Sequence, residues 1–387
     1  MLIGITGKPS SGKSTFFSAA TLVDVAISPR PFTTIDPNKG VTYVQVKCPC
    51  SDLGVSCNPK NAKCEHGKRY VPINMIDVAG LVPGAHEGKG LGNRFLDDVR
   101  SADALIQIVD SSGKTDSEGN PCESYDPAEE IRFLEEEISL WIASILNRGW
   151  SKVKDHDTKA VHGLLTGLKI TEAEIERTAK RLGLSLERIN WTEEQIANFS
   201  REVRRESMPI VIAANKIDLP GARERYMKLR EDFPNNIIVP TYADGELALR
   251  RAASKSMIKY VPGDLSFEIL EVNEQQRAAL SKIKQTMDLY HGTGVQQIIN
   301  GAVFGFLELI VVYPVSDEHK YSDNFGNVLP DAIMVKKGTT AIQLAEKIHT
   351  DLAKNFLYAV DARKKIRISK DHVLNDGDII KIVSAAR

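Results

Sequence analysis

The stretch GKPSSGKST, residues 7–15, directly follows the apolar run LIGIT and decides the fold. Gly7, Gly12, Lys13 and Ser14 fit the spacing G-x-x-x-x-G-K-[ST]. The glycines let successive backbone N–H groups face one concavity that accepts phosphate oxygens, the lysine reaches the β- and γ-phosphates, and the serine hydroxyl binds Mg²⁺. Because a strand pattern precedes the motif and a helix pattern follows it, the sequence predicts a phosphate-binding loop. The residues expected to contact the nucleotide here are Gly7, Lys8, Pro9, Ser10, Ser11, Gly12, Lys13, Ser14 and Thr15.

A carboxylate that acts on the same metal ion is predicted downstream, in the pattern YVPINMIDVAGL at residues 70–81. This apolar strand pattern ends in Asp77 and is followed by Gly80. In nucleotide hydrolases with a phosphate loop, such an aspartate holds the water shell of Mg²⁺ and the glycine N–H meets the γ-phosphate. A strand that ends in an Asp-capped turn is the purely structural alternative, and the preceding phosphate motif favours the metal role. The predicted Mg²⁺ site therefore includes Ser14 and Asp77.

Base recognition is predicted at MPIVIAANKIDLPG, residues 208–221, where an apolar strand pattern runs into Asn215, Lys216 and Asp218. The Asp218 carboxylate can accept hydrogen bonds from N1–H and N2–H₂ of guanine, and adenine lacks this pair of donors. Adenine would leave the carboxylate unpaired in its pocket, which is energetically costly. We expect Asn215 to tie the phosphate loop to the base-binding loop and Lys216 to lie along the base plane.

A further strand pattern, NIIVPTYADGE at residues 236–246, ends near Tyr242 and Ala243. A backbone N–H at this position could meet O6 of guanine. Since three motifs occur in this order, each at a strand end, the sequence predicts an α/β fold. The expected architecture is a doubly wound sheet of the phosphate-loop GTPase type, with the nucleotide at the carboxyl edge of the sheet.

The composition is that of an ordinary globular chain of 387 residues with a formal net charge of −1. Because the chain has no global basic field, any contact with nucleic acid must come from a local patch. The apolar start MLIGITG is too short for a membrane span and lacks the basic region of a signal peptide. We therefore expect a cytoplasmic protein that has no membrane partner.

Four of the five cysteines, Cys48, Cys50, Cys57 and Cys64, lie in one short stretch between two strand patterns. Four thiolates around a tetrahedral Zn²⁺ would stabilise a loop that has no core of its own. The C-x-C opening is less typical of zinc sites than C-x₂-C. One or two disulfides, as in proteins of hyperthermophiles, and free thiols are the alternatives, and the sequence leaves the choice open.

Two stretches resemble the Obg-like GTPases, most closely their YchF-related archaeal branch. They are PFTTIDPNKG at residues 31–40 and DVAGLVPGAHEGKGLGNRFLDDVRSADALIQIVD at residues 77–110. The resemblance covers nearly the whole chain. It implies a slow molecular switch that hydrolyses GTP to GDP and phosphate. It also implies that PFTT is the first switch, with Thr34 as the sensor of Mg²⁺ and the γ-phosphate and Thr33 as the alternative.

The candidate catalytic residues are then Lys13, Thr34 and Gly80. By the same resemblance, the second switch runs from residue 77 to about residue 95. Leu81 stands immediately after D-x-x-G, where many small GTPases have a glutamine that orients the attacking water. Because a leucine cannot orient water by hydrogen bonding, intrinsic hydrolysis should be slow, with the missing group supplied by a rearranged switch residue, a partner or an assembly.

Two further positions bear on the chemistry. Bacterial relatives have an asparagine where this chain has Ser10, which weakens the case for the potassium-assisted mechanism that uses that asparagine. Some relatives have a modified base motif and prefer ATP, whereas the intact N-K-x-D pattern at residues 215–218 argues for GTP. An ATPase of the same family is the first alternative function. A ribosome- or RNA-binding factor whose nucleotide is mainly structural is the second.

Changes in pattern along the chain predict its organisation. Residues 1–124 and 207–303 are expected to form the GTPase domain with flanking helices, and residues 125–206 a helical insertion that projects from it. Residues 304–387 resemble a TGS domain with a β-grasp fold, with the pattern strand, strand, helix, strand, strand. TGS domains accompany factors that meet tRNA or ribosomes, so the resemblance implies ribosomes or RNA as partners beside GTP and GDP. The basic stretch ARKKIR, residues 362–367, is either a phosphate-contacting patch or a solvated edge strand.

Overall fold

The chain forms two compact units in a computed structural model. Residues near the amino terminus contribute to both units, because the segment 41–73 belongs with the carboxyl-terminal part. No helix in the described part of the chain is both long and apolar enough to cross a membrane. The first unit contains residues 1–21, 39–40 and 74–298, and the second contains residues 41–73 and 299–385. Within these limits, the residues described are 1–21, 39–60, 62–78, 92–150, 157–186, 190–208 and 210–385.

The described residues contain both α-helices and β-strands throughout. In chain order the strands are β1 Leu2–Thr6, β2 Lys39–Lys47, β3 Cys64–Glu65, β4 Lys68–Asp77, β5 Ala104–Asp110, β6 Ile210–Asn215, β7 Ile238–Pro240, β8 Ile258–Lys259, β9 Glu268–Ile269, β10 Leu309–Val315, β11 Ile333–Lys336, β12 Phe356–Asp361, β13 Ile366–Ile368 and β14 Ile379–Ser384. The α-helices are α1 Lys13–Thr21, α2 Pro49–Leu53, α3 Gly92–Ser101, α4 Ala128–Trp150, α5 Thr158–Leu165, α6 Glu172–Leu182, α7 Glu193–Ser207, α8 Ala222–Asp232, α9 Ala243–Ser254, α10 Glu274–Tyr290, α11 Val295–Asn300, α12 Ala341–Ile348 and α13 Thr350–Lys354.

A parallel sheet lies at the centre of the first unit, with the strand order β4-β1-β5-β6-β7. Strands β5 and β6 are buried along their whole length, which explains why their sequences are almost uniformly apolar instead of alternating. In the register, Ile5 pairs with Asp77 and Asp110 pairs with Asn215. The strands therefore end at one common edge, where sheets of this kind bind their ligands. The predicted α/β fold is confirmed.

The region predicted as a helical insertion contains α4, α5, α6 and α7. Helices α6 and α7 begin after Thr171 and Thr192, and each threonine forms a reciprocal capping box with the residue three positions later. Each cap satisfies backbone N–H groups that would otherwise lack partners in the first turn of the helix.

The apolar faces of these helices form one continuous core with the sheet and α3. Leu134 of α4 and Phe199 of α7 are fully buried in the same cluster as Val99 and Leu105. In this part of the chain the helices therefore share a core with the sheet, and the bounds of the helical insertion stay a prediction. The physical reason is that the sheet face is apolar and needs a cover, and the amphipathic helices provide it.

The second unit joins two distant parts of the sequence. Its first part contains most of β2, α2, β3 and the beginning of β4, with β4 paired to both β2 and β3. Its second part is a five-stranded sheet in the order β11-β10-β14-β12-β13, against which α12 packs through Leu344 and neighbouring apolar residues. The predicted pattern of strands and helix is present, with one difference. The stretch LYAVDARKKIRIS is a hairpin of two strands, because the chain turns between β12 and β13, where Lys365 has a positive φ.

The basic stretch 362–367 lies on this hairpin, and β13 is an edge strand of the sheet. The Lys364 ammonium pairs with Asp361 at 2.9 Å, and Lys365 donates to the backbone oxygen of Glu318. The Arg367 guanidinium lies 4.2 Å from the centroid of an aromatic ring in β12. Because these three cations contact groups of the same unit, the structure favours the edge-strand interpretation.

The shared core predicts that the inserted helices and the sheet unfold together. Leu134→Ala should lower the free energy of unfolding by about 2–5 kcal/mol, since it removes a fully buried side chain from that core. Denaturant titration followed by far-UV circular dichroism and by tryptophan fluorescence measures the change. Leu289→Ala, at an exposed position of α10, is the control and should cost less than about 0.5 kcal/mol. A Leu134→Ala effect as small as that of the control would contradict the shared core.

Candidate nucleotide-binding site

The phosphate loop, residues 7–12, joins β1 to α1. A Cβ atom at Gly7 would lie 2.5 Å from the carbonyl oxygen of Ile108, and a Cβ atom at Gly12 would collide with the side-chain amide of Asn215. Gly12 also has a φ of +94°, which disfavours any larger residue. Both glycines of the motif are thus required by close approach of neighbouring groups. Ser14 and Thr15 follow in the first turn of α1, where the Ser14 side chain is exposed.

Lys13 and Asp77 form an ion pair at the carboxyl edge of the sheet. Both side chains are about four-fifths buried, at 18% and 19% exposure, so their charges are only partly screened by water. A phosphate chain carries the charge that Lys13 attracts, and Mg²⁺ carries the charge that Asp77 attracts. Mg²⁺ prefers hard oxygen ligands, and the Asp77 carboxylate and the Ser14 hydroxyl are of that kind. The residues present therefore fit a nucleotide with its Mg²⁺.

Asn215 links the phosphate loop to the start of α9. Its Nδ2 donates to the carbonyl oxygen of Ser11 at 2.9 Å, and its Oδ1 accepts from the backbone N–H of Ala243 at 3.2 Å. Asn215 is 3% exposed, so water cannot easily replace either bond. This is the connection that the sequence leads us to expect for Asn215.

Lys216 holds a buried acid that sequence reasoning missed. Its ammonium lies 2.7 Å from Oδ2 of Asp110, which is fully buried at the end of β5. Burial alone would raise the pKa of Asp110, but the Lys216 ammonium and the hydroxyls of Ser112 and Thr115 together hold this pKa below its usual value. Asp110 thus stays ionised and positions Lys216. The signal in the sequence is an aspartate that ends an apolar strand, IQIVD, just as Asp77 does.

Asp218 lies beyond the end of β6 with its side chain accessible to solvent. The protein around it nevertheless raises the pKa of its carboxyl by desolvation, and the negative charge of Asp244 adds to the increase. A ligand that donates hydrogen bonds to this carboxylate would relieve both effects. The position is therefore suited to recognise N–H donors.

The structure gives the two amides predicted for base recognition other partners. The Ala243 N–H donates to Asn215, and the Tyr242 N–H donates to the carbonyl oxygen of Thr293 at 2.7 Å. The reason is that α9 begins at Ala243, and the first amides of a helix need acceptors from outside the helix. Tyr242 and Ala243 are in the expected place, at the same edge of the sheet, but these two N–H groups are not free for guanine O6.

Lys8 departs from the expectation in a different way. Its ammonium donates to the backbone oxygen of Asp116 at 2.7 Å and to Thr115, and it lies 3.4 Å from the Glu130 carboxylate. Burial raises the pKa of Glu130 to about 8, against the opposing charge of Lys8. The Lys8 side chain is thus held by the segment after β5, and only the Lys8 backbone remains available to a phosphate. Pro9 and Ser10 are exposed at the tip of the loop, and Ser10 has a φ of 61°.

Most residues predicted for the two switches lie outside the described residues, among them Thr33, Thr34, Gly80, Leu81 and the glycines at 84, 88 and 90.

The four clustered cysteines come together in the second unit. Their sulfur atoms all lie within 4.8 Å of one another, and all four thiols are free. This group could hold a metal ion.

Family comparisons agree with this geometry. Residues 2–147 match the family described as 50S ribosome-binding GTPase, residues 213–317 match the Obg-like GTPase YGR210-like, G4 motif-containing domain, and residues 325–384 match the TGS domain. The chain is 51% identical to a GTP-binding protein of Methanocaldococcus jannaschii, over 100% of both chains.

The chain belongs to the Obg-like GTPase family. The crystal structure of a GTP-binding protein from Pyrococcus horikoshii OT3 covers 100% of both chains at 41% identity, with a TM-score of 0.80. The ribosome-binding ATPase YchF of Bacillus subtilis is 27% identical over 97% of each chain. The family resemblance and the TGS domain predicted from the sequence are both confirmed.

The two hydrogen bonds of Asn215 predict a measurable role in this Obg-like GTPase. Asn215→Ala leaves the Ser11 carbonyl and the Ala243 N–H without their partner, so it should lower the free energy of unfolding by about 1–3 kcal/mol. It should also weaken guanine-nucleotide binding, because the phosphate loop loses its support. Thermal and denaturant unfolding without nucleotide, followed by titration with a fluorescent GTP analogue, measure both effects. Asn235→Ala, at an exposed loop position, should change neither, and equal behaviour of the two variants would contradict this role.

Proposed function

We propose that this chain binds GTP together with Mg²⁺ and hydrolyses it slowly to GDP and phosphate, as a switch that acts with ribosomes or RNA. The observation that carries the proposal is the pair of hydrogen bonds made by the Asn215 side chain. They connect the phosphate loop to the loop that follows β7. Through this connection the phosphate-binding and the base-binding elements meet at one edge of the sheet, with Lys13, Asp77 and Asp218 around it.

Each part of the nucleotide then has an assigned partner. The backbone of residues 7–15 and the Lys13 ammonium receive the phosphates. Ser14 and Asp77 hold Mg²⁺, with Thr34 as the third candidate ligand. The metal, when bound, neutralises negative charge that develops on the transferred phosphoryl group. The ion pair between Lys13 and Asp77 supports this assignment, because it brings the two groups to the same place.

The preference for guanine is assigned to Asp218. The pKa of this solvent-accessible carboxylate is raised, so hydrogen bonds from N1–H and N2–H₂ of guanine would stabilise its charged form. Adenine offers no such pair of donors. Lys216 is held by Asp110 at the side of this position and would cover the base plane. ATP is the alternative substrate, since some relatives are named ATPases.

Slow intrinsic turnover follows from Leu81, whose side chain cannot hydrogen-bond to a water molecule. A group from a partner would then complete the site. The ribosome is the partner class we propose, supported by the description of the family that matches residues 2–147 and by the TGS domain.

Exchanging the base-reading carboxylate should change the preferred nucleotide. Asp218→Asn replaces an acceptor by an amide donor that fits the C2 carbonyl of xanthine, so affinity for GTP should fall about 10- to 100-fold while affinity for xanthosine triphosphate rises. Isothermal titration with GTP, ATP and xanthosine triphosphate measures the change. Asp371→Asn, at an exposed position of the second unit, is the matched control. Equal binding of ATP and GTP by the unaltered chain would refute the guanine assignment.

The raised pKa of Asp218 predicts how GTP affinity depends on pH, which the same titrations can measure. As pH falls through this pKa, the carboxylate takes up a proton and can no longer accept two hydrogen bonds. GTP affinity should therefore start to fall at a higher pH than expected for an ordinary aspartate. The Asp218→Asn variant should lack this fall.

Ribosomes should accelerate hydrolysis if they complete the site. In single-turnover assays with GTP and Mg²⁺, we expect a slow basal rate and an increase of about 10³-fold or more with purified ribosomal subunits. Lys13→Ala is the control and should abolish nucleotide binding and both rates. A chain that binds GTP tightly but shows neither basal nor stimulated hydrolysis would be a binding factor with a structural nucleotide.

A further inference from the structure

The cysteine cluster of the second unit, Cys48, Cys50, Cys57 and Cys64, has no part in the nucleotide site. Cys48 is fully buried and Cys50 is 9% exposed. The Sγ atoms of Cys48 and Cys57 are 3.9 Å apart, and those of Cys50 and Cys64 are 3.7 Å apart. Four free thiols so close together, half of them buried, need a chemical reason.

We propose that the cysteine cluster binds one structural Zn²⁺, with the buried Arg69 as the counter-charge of the site, and that this metal fixes the loop that is hydrogen-bonded to the segment between β10 and β11. All groups that take part belong to the second unit.

Two sulfur–sulfur distances in the cysteine cluster match a tetrahedral zinc tetrathiolate, and the other pairs lie within 4.8 Å. A Zn–S bond of about 2.3 Å in a regular tetrahedron places neighbouring sulfurs about 3.8 Å apart. The two measured distances of 3.7 and 3.9 Å lie on either side of this value. Zinc and iron both accept four thiolates, and zinc suits a closed structural site because it has no redox chemistry.

Local structure brings the thiols together, and none of the four cysteines has a positive φ. The turn between β3 and β4 consists of His66 and Gly67, both with positive φ, which is the geometry of a tight two-residue hairpin. The Cys48 N–H donates to the Gly67 carbonyl oxygen at 2.7 Å, so the end of β2 is held against this turn. Cys64 is thereby placed beside Cys48 and Cys50.

Arg69 supplies the positive charge that a zinc tetrathiolate needs. Four thiolates and one Zn²⁺ carry two net negative charges, and such a charge is costly to bury without a counter-charge. Arg69 is 0% exposed and is the direct cross-strand partner of Cys64, so its side chain lies on the same face of the hairpin. Its Nη2 donates to the carbonyl oxygen of Leu329, while Nε and Nη1 have no hydrogen-bond partner among the described residues. An anionic cluster beside Arg69 explains why a guanidinium is buried here.

The loop between Cys57 and Cys64 donates hydrogen bonds to the segment that connects β10 to β11. The Asn58 N–H donates to the Val328 carbonyl oxygen at 3.1 Å, and the Lys60 N–H donates to the Pro330 carbonyl oxygen at 2.9 Å. Because the proposed ligands stand at both ends of this loop, metal binding fixes the donors that it presents.

Metal analysis of the full-length chain tests the proposal directly. Protein purified without added metal or chelator should contain about one zinc ion per chain by atomic emission, and a mercurial reagent should release it as the thiols react. Cys57→Ser should lower the zinc content well below one per chain. Cys122→Ser is the matched control, since this cysteine lies outside the cysteine cluster, and it should keep the full content.

The roles of Arg69 and of the loop have readouts of their own. Arg69→Met should lose zinc at a chelator concentration about tenfold lower than the unaltered chain, and Arg69→Lys should restore most of the retention. Removal of zinc should speed hydrogen exchange at the Asn58 and Lys60 amides and leave the Ile212 amide of the first unit unchanged.

Three results would overturn the proposal. The first is a chain that contains no zinc while its thiols are free, or that contains iron instead. The second is a disulfide among the four cysteines, found by peptide mapping after alkylation under denaturing conditions. The third is a Cys57→Ser variant with unchanged zinc content. Unchanged retention in Arg69→Met would remove the assigned role of Arg69. None of these measurements depends on GTP binding or hydrolysis.

Discussion

The side chain of Asn215 is the constraint on which the nucleotide site depends. It joins two stretches 204 residues apart by donating to the Ser11 carbonyl oxygen, and with its other end it accepts from the first amide of α9. The contact is buried, so its loss would leave a carbonyl and an N–H unpaired. It also explains why position 12 must be a glycine, because any side chain there would displace the amide of Asn215. The shape of the phosphate loop and the position of the residues after β6 are thus determined by one amide group.

Charge at the carboxyl edge of the sheet is organised in pairs. Lys13 faces Asp77 at the end of β4, and Lys216 faces Asp110 at the end of β5. The two pairs differ in exposure, because Asp110 is fully buried whereas Asp77 is partly open to solvent. The buried pair is suited to positioning a side chain. The more open pair can exchange its internal partner for a ligand of the same charge, which is the requirement for a site that binds a triphosphate and a divalent cation.

Sequence reasoning located residues correctly where a short motif stands at the end of a strand. The phosphate loop, Asp77 and the N-K-x-D stretch needed only local spacing and the rule that parallel strands end at one edge. Lys8 shows the limit, because it lies inside the motif but its side chain is held by the segment after β5, a contact between residues more than a hundred positions apart. The amides of Tyr242 and Ala243 show another limit. Their partners depend on where α9 begins and on the distant Thr293, and no pattern in the sequence reports either.

The second unit has a consequence for how the chain is made. Its two parts, residues 41–73 and 299–385, are separated in sequence by all of segment 74–298. During synthesis the early part leaves the ribosome long before the late part exists, so Arg69 and the loop with Asn58 must wait for their carbonyl partners. A bound metal would keep the hairpin of β3 and β4 folded during this interval. For the same reason, cutting the chain before residue 304 would not remove a self-contained module. The cut would expose the buried Arg69 and leave only the first part of the second unit in the remaining chain.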